Sequence, residues 1–255
     1  MSRFTFRGWR VSRFIFVVLL LTLACSRAAH ADTWSPGQMI TYSQTDWDNP
    51  AGPAGELLAL DFETVYQGEG YVQIGAPTAP ASGYAMLFDS ATAIENYLPQ
   101  GGPPAALTAN LADPTDSTSG VFGASVLTLQ LDVDFSDAGL LEGSLGLPLG
   151  DVQLFGAYPV PDGTTVRQFL AIANTALGGG STGYMIPDLD AVAENLDAAF
   201  SGGDPDAYAQ AFLVPPGTTV TPTPEPSSAL LLGVGLLGLG IFRCRRRAVN
   251  VVSGF

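Results

Sequence analysis

Lysine does not occur in this sequence of 255 residues; histidine occurs once, as His30, and cysteine twice, as Cys25 and Cys244. Positive charge is confined as tightly. All ten basic residues are arginine, and only Arg167 lies between residues 32 and 216. Arg3, Arg7, Arg10, Arg13 and Arg27 precede that stretch; Arg243, Arg245, Arg246 and Arg247 follow it. The central body therefore has no imidazole, thiol or amine for a Ser-His-Asp or Cys-His site, a Schiff-base lysine, a zinc site of the usual nitrogen and sulfur type, or a disulfide framework. Its 23 carboxylates against one arginine give it a net charge of −22, compared with −14 for the whole chain. A field of that sign repels nucleic acid at long range. Oxygen chemistry remains: carboxylates, hydroxyls and carbonyls. With 47% hydrophobic residues the chain can bury one core, and a single domain is the expectation for the length of the body.

Residues 1–31 have the layout of a secretory signal peptide: an arginine-bearing start, an apolar run from Phe14 to Ala24, then Ala29-His30-Ala31, which fits an A-x-A cleavage site. Cleavage there starts the mature protein at Asp32 and names the secretion translocon and signal peptidase as partners. An uncleaved anchor is the competing reading, but the run is shorter than the ~20 residues of a spanning helix. A lipoprotein reading through Cys25 fails on Thr22-Leu23-Ala24, a poor lipobox.

Three physically different pieces make up the other end. Residues 217–226 are a proline-rich linker in which Pro222, Pro224 and Pro226 alternate with Thr223 and Glu225, favouring an extended, accessible segment. Within 227–247, Ala229 to Phe242 is apolar without a charge, and Arg243, Arg245, Arg246 and Arg247 follow as a cluster that the positive-inside rule holds in the cytoplasm. Stretched from Ser227 to Cys244, with the arginines snorkelling, the span reaches the lower limit for crossing a bilayer. This combination, over roughly the last 30 residues, resembles the PEP-CTERM sorting signal of Gram-negative bacteria. The resemblance implies recognition of Pro224, Glu225 and Pro226 by a membrane exosortase, cleavage near that motif, and a route through the inner membrane to the cell envelope, the surface or the medium. Residues 248–255 trail the arginines, where such proteins often stop sooner. An ordinary C-terminal anchor behind a proline-rich linker is the plainer alternative and also leaves the body outside the cytoplasm.

Residues 32–216 read as an extracytoplasmic α+β domain. Val166, Phe169, Leu170, Ala173 and Leu177 predict a helix capped by Thr164-Thr165 and stopped by Gly178-Gly179-Gly180. A second helix has Pro187 in its first turn with Asp188 and Asp190, a stripe of Leu189, Val192, Ala193, Leu196 and Phe200, and a stop at Gly202-Gly203. The two are expected to pack as a pair, with a short helix over Pro205 to Phe212 after them. Earlier, Tyr71–Ile74, Tyr84–Phe88 and Val152–Phe155 read as short strands, Ser90–Leu98 as a Ser-capped helix, and Leu57–Tyr66 as helical. Linkers are expected at 49–53, 100–104, 113–120 and 214–226. Phe122 to Phe135 fits both periods: Leu127, Leu129, Leu131, Val133 and Phe135 alternate, while Phe122, Val126, Leu129 and Val133 have helical spacing. The stretches LDFETVYQ, GYAMLFDSATAIENYLP, GVFGASVLTLQLDVDFSDAG and GTTVRQFLAIANTALGGG make the body similar to that of other exported bacterial proteins of unassigned function. That likeness brings no catalytic residues with it.

No catalytic residue and no resident cofactor is expected. Asp132, Asp134 and Asp137 come closest to a metal site, since hard oxygen ligands suit calcium, but their spacing lacks the glycine and terminal glutamate of an EF-hand loop, and a solvated acidic edge, which needs no ion, is the preferred reading. Asp46 with Asp48, and Asp204 with Asp206, are lesser cases. Gly178-Gly179-Gly180-Ser181-Thr182 follows a helix and lacks the lysine of a phosphate loop, so it reads as a helix stop. Arg167 reads as an ion-pair partner on a helix surface. Trp34, Tyr42, Trp47, Tyr66, Tyr71 and Tyr84 are the side chains from which a sugar-stacking platform would be built. The reading is an exported, non-catalytic surface or extracellular-matrix protein, kept soluble by its acidity and bridged to exopolysaccharide by divalent ions. A carbohydrate-binding module and a carboxylate-dependent glycan hydrolase are the alternatives.

Overall fold

A computed structural model describes residues 34–76, 83–141 and 143–217. The leader with Ala29 and Ala31, the motif Pro224-Glu225-Pro226, the apolar span and the arginine cluster lie outside the described residues. In chain order the elements are α1 (Gln44–Trp47), α2 (Pro53–Val65), β1 (Val72–Gly75), β2 (Ala85–Phe88), α3 (Ala91–Tyr97), β3 (Leu111–Ala112), α4 (Val121–Asp137), a 3-10 turn (Leu149–Asp151), β4 (Gln153–Leu154), β5 (Thr164–Thr165), α5 (Val166–Leu177), α6 (Ile186–Ala198), α7 (Ala207–Phe212) and β6 (Leu213–Val214). This is the α+β class expected, and residues 30–218 form one compact unit.

Local chemistry sets the helix starts. Ser43 and Asp46 close a capping box on α1, and Thr165 and Gln168 do the same on α5. Ser90 caps α3 and Asp206 caps α7 through the amides of Ala93 and Ala209. Pro53 and Pro187 occupy the first turns of α2 and α6, where a missing N–H costs nothing. Pro53 therefore belongs to a helix and not to the linker expected over 49–53. At the end of α5, Gly178 is the cap and Gly179 turns the chain with φ +88°, the stop its glycines predicted.

Helix α4 is the axis of the body. Phe122, Ala124, Val126, Leu127, Leu129, Leu131, Val133 and Phe135 are all buried and fall on two sides of the helix, between Ser125, Thr128 and Asp132 along one edge and Gln130, Asp134 and Asp137 along the other. That resolves the double periodicity of this segment: a helix with apolar residues on two sides shows no single stripe. α1, α5, α6, β1 and the 3-10 turn all pack on it. α5 and α6 pack on each other as expected, but each lies more against α4 than against its partner. α6 also ends at Ala198; Phe200 lies beyond it and packs edge-on against Trp34, ring centroids 4.9 Å apart.

Two small sheets flank the helices. In the order β1-β2-β3, β1 and β2 are antiparallel (Val72 opposite Phe88) and β3 joins β2 in parallel. In the order β5-β4-β6 both pairings are antiparallel. The second sheet fastens the two ends of the body: the Trp34 indole N–H donates to the Leu213 carbonyl (2.8 Å), and the Gln210 amide donates to the Trp34 carbonyl (2.7 Å). Among the described residues no helix is long and apolar enough to cross a membrane.

Candidate functional site

A cleft of about 730 Å³ opens between the end of α2, strand β1 and the second half of α4, lined among others by Tyr66, Glu69, Tyr71, Gln73, Gln130, Asp134 and Asp137. Gln130, Asp134 and Asp137 are spaced by four and three residues, which puts them on one face of α4. Tyr66 is the C-terminal cap of α2, and the turn after it carries Glu69 and Tyr71 into β1.

A chain of hydrogen bonds fixes the polar groups. The Gly75 amide donates to Asn174 Oδ1 (2.7 Å), and the Asn174 amide donates to Gln130 Oε1 (3.4 Å). The other end of the Gln130 amide donates to both oxygens of Asp134 (2.9 Å each), and the Tyr66 hydroxyl donates to Asp134 Oδ2 (3.0 Å). Each amide is thereby held one way round, so the cleft presents preset acceptors and donors. Burial raises the Asp134 carboxyl above its usual range, against the pull of Gln130 and Tyr66; Asp137 adds to the rise and Arg167 opposes it. Burial, then the charge of Asp134, push the Tyr66 phenol well up. At the rim Arg167 grips Asp137 with both guanidinium nitrogens (2.6 and 2.8 Å) and reaches Asp151 at 3.7 Å, as its ion-pair reading anticipated.

The three carboxylates considered for calcium do not converge. Asp132 is fully buried and accepts from the Tyr42 amide (3.1 Å) and the Trp47 indole (3.2 Å). Asp134 faces the cleft, and Asp137 belongs to Arg167. Helical geometry separates residues two apart to opposite sides, where a strand would have aligned 132 and 134. Among the described residues no group of three His, Cys, Asp or Glu side chains is placed to hold a metal. Nor do the six aromatic residues form one platform: Trp34 and Trp47 are core residues, exposed by 1% and 0%, and only Tyr66 and Tyr71 share the cleft. Gln130, Asn174 and Glu69, which complete the site, carry a signal in sequence only once 122–135 is known to be helical and to lie beside β1.

Residues 222–247 match the family model described as the PEP-CTERM protein-sorting motif. The chain carries that motif, which marks it for recognition by an exosortase and for export to the bacterial cell envelope or surface. No curated protein and no solved structure matches the chain.

Proposed function

We propose that the chain is a non-catalytic protein of the cell surface or extracellular matrix whose exported body holds neutral polysaccharide in the cleft between α2, β1 and α4. The observation that carries this reading is the hydrogen-bonded chain from Gly75 through Asn174 and Gln130 to Asp134 and Tyr66, ending at an open cleft. Planar amide and carboxylate groups held in fixed orientation suit the adjacent hydroxyls of a sugar, and Tyr71 offers a ring against its apolar face. Glu69, Asp134 and Asp137 disfavour anionic polymers at the same place. In affinity electrophoresis the mature protein is expected to be retarded by gels containing neutral polysaccharide. Gln130→Ala, which removes the donor to both Asp134 oxygens, is expected to weaken retardation about tenfold, the worth of one charge-assisted hydrogen bond. Release of new reducing ends would overturn the non-catalytic reading, and unretarded wild type would overturn the cleft as a glycan site.

Sorting has its own test. Wild-type protein is expected to begin at Asp32, to lack everything after the Pro-Glu-Pro region and to fractionate outside the inner membrane. Glu225→Ala is expected to stay uncut in the inner membrane. If intact mass shows Arg243 to Phe255 retained in both forms, the tail serves as a plain anchor.

A further inference from the structure

Where α6 lies on α4, the buried seam is lined with acids and hydroxyls. Ser125, Thr128 and Asp132 stand at successive turns of α4, and all three are fully buried. Asp190 and Asp197 of α6, exposed by 6% and 4%, complete the row. Ser125 Oγ donates to Asp190 Oδ1 at 3.0 Å, across a separation of 65 residues. Seven residues further along both helices the charge of Asp132 acts on Asp197, so the two helices run side by side in the same direction. Asp197 Oδ1 and Thr128 Oγ1 are buried with no hydrogen-bond partner among the described residues.

Among the described residues no side chain supplies a countercharge to this seam. Arg167, the only basic residue between 32 and 216, is held by Asp137 and Asp151 at the cleft rim. The charged groups acting on Asp197 are all acids, Asp132 on α4 and Glu194 and Asp190 on α6 itself, and those facing Asp132 are Asp46 on α1 and Tyr42 just before it; of the other helices packed on α6, α7 carries Asp206 at its cap and Tyr208, and α5 contributes only Arg167, held by Asp137. A lone buried carboxylate in such surroundings is far costlier than its neutral acid.

We propose that the α4–α6 seam is a proton-held lock: with Asp132 and Asp197 protonated the helices stay packed, and as the surrounding pH rises their ionisation forces like charges into a dry interface and releases α6 from the core. Burial raises both carboxyls well above their ordinary range, with Asp132 adding to the rise of Asp197; Asp190, also raised by burial and by Glu194, is pushed up to about 6. The sign follows from linkage. A carboxyl whose folded pKa lies above its unfolded value keeps its proton in the fold, so stability is full below about pH 4 and is lost as pH climbs toward the folded value. Each retained proton costs the folded state about tenfold in its equilibrium per pH unit across that window. A protein facing the outside of a cell meets such changes directly.

The test is hydrogen exchange of the mature protein between pH 5 and pH 8.5, corrected for the intrinsic pH dependence of exchange and read on peptides covering 186–198. Wild-type α6 is expected to lose protection by at least about tenfold per pH unit over part of that range. Asp197→Asn, an isostere that cannot ionise, is expected to make the loss shallower by up to about tenfold per pH unit, Asp132 and Asp190 keeping the rest, while Asp204→Asn, on the exposed turn after α6, keeps the wild-type profile. Wild-type protection that does not change with pH overturns the proposal, and does so even if Asp197→Asn fails to fold. Protection at pH 8.5 restored by millimolar calcium overturns it too, in favour of a seam filled by metal.

Discussion

Trp47→Ala is expected to leave little folded protein at room temperature. The indole is completely buried, packs 5.1 Å from the Phe135 ring and 5.6 Å from Tyr42, and donates its N–H to Asp132. Truncating a buried aromatic costs about 3–5 kcal/mol in transfer and cavity terms. Removing a donor from a buried acceptor adds about 1–3 kcal/mol. Domains of this size are stable by about 5–15 kcal/mol in all, so the two losses together reach most of that margin. Trp47→Phe separates them: it fills most of the space but gives no N–H to Asp132, and is expected to cost about 1–3 kcal/mol. Urea unfolding measures both. A cost below about 2 kcal/mol for the alanine variant would mean that α1 does not close the core on α4.

Gly55→Ala is expected to invert an ordinary rule. Within a helix, exchanging glycine for alanine stabilises by up to about 1 kcal/mol. At Gly55 of α2 a methyl group would stand 2.6 Å from the Asn49 carbonyl carbon and 2.8 Å from Pro50 Cα, nearer still to the Asn49 oxygen. These are backbone atoms and cannot rotate away, so either the 49–52 turn lifts off or α2 shifts. The expected loss is about 1–3 kcal/mol, the range for overpacking. Thermal unfolding of the single variant decides it, and a raised midpoint would show that the turn is not seated on the helix.

Helix starts were legible because caps are local: Ser90, Thr165 and Pro187 announce α3, α5 and α6 without help from the rest of the fold. Short strands between glycines and prolines were equally plain at β1 and β2. What sequence could not decide was α4, since a helix with apolar residues on two sides shows no single stripe, and its leucines alternate by accident. Everything that depended on α4 was hidden with it. Asp132, Asp134 and Asp137 read as one cluster in the linear chain, and the helix sends them to the core, the cleft and Arg167 in turn. Asp188 and Asp190 likewise read as a pair favoured by the helix dipole, although Asp190 proves to be buried against Ser125. Gln130 and Asn174 lie far apart in sequence and meet only because α5 crosses between β1 and α4.

The clasp between Trp34 and the Gln210–Leu213 segment sets an order in time. If the exported chain leaves the cell amino end first, Trp34 waits for a partner nearly 180 residues behind it. Until Leu213 has followed, β6 cannot join β4, and the body stays open at one edge. Pro222, where the sorting motif begins, follows Leu213 by only nine residues. On that order of export, completion of the fold and arrival of the sorting motif are almost one event.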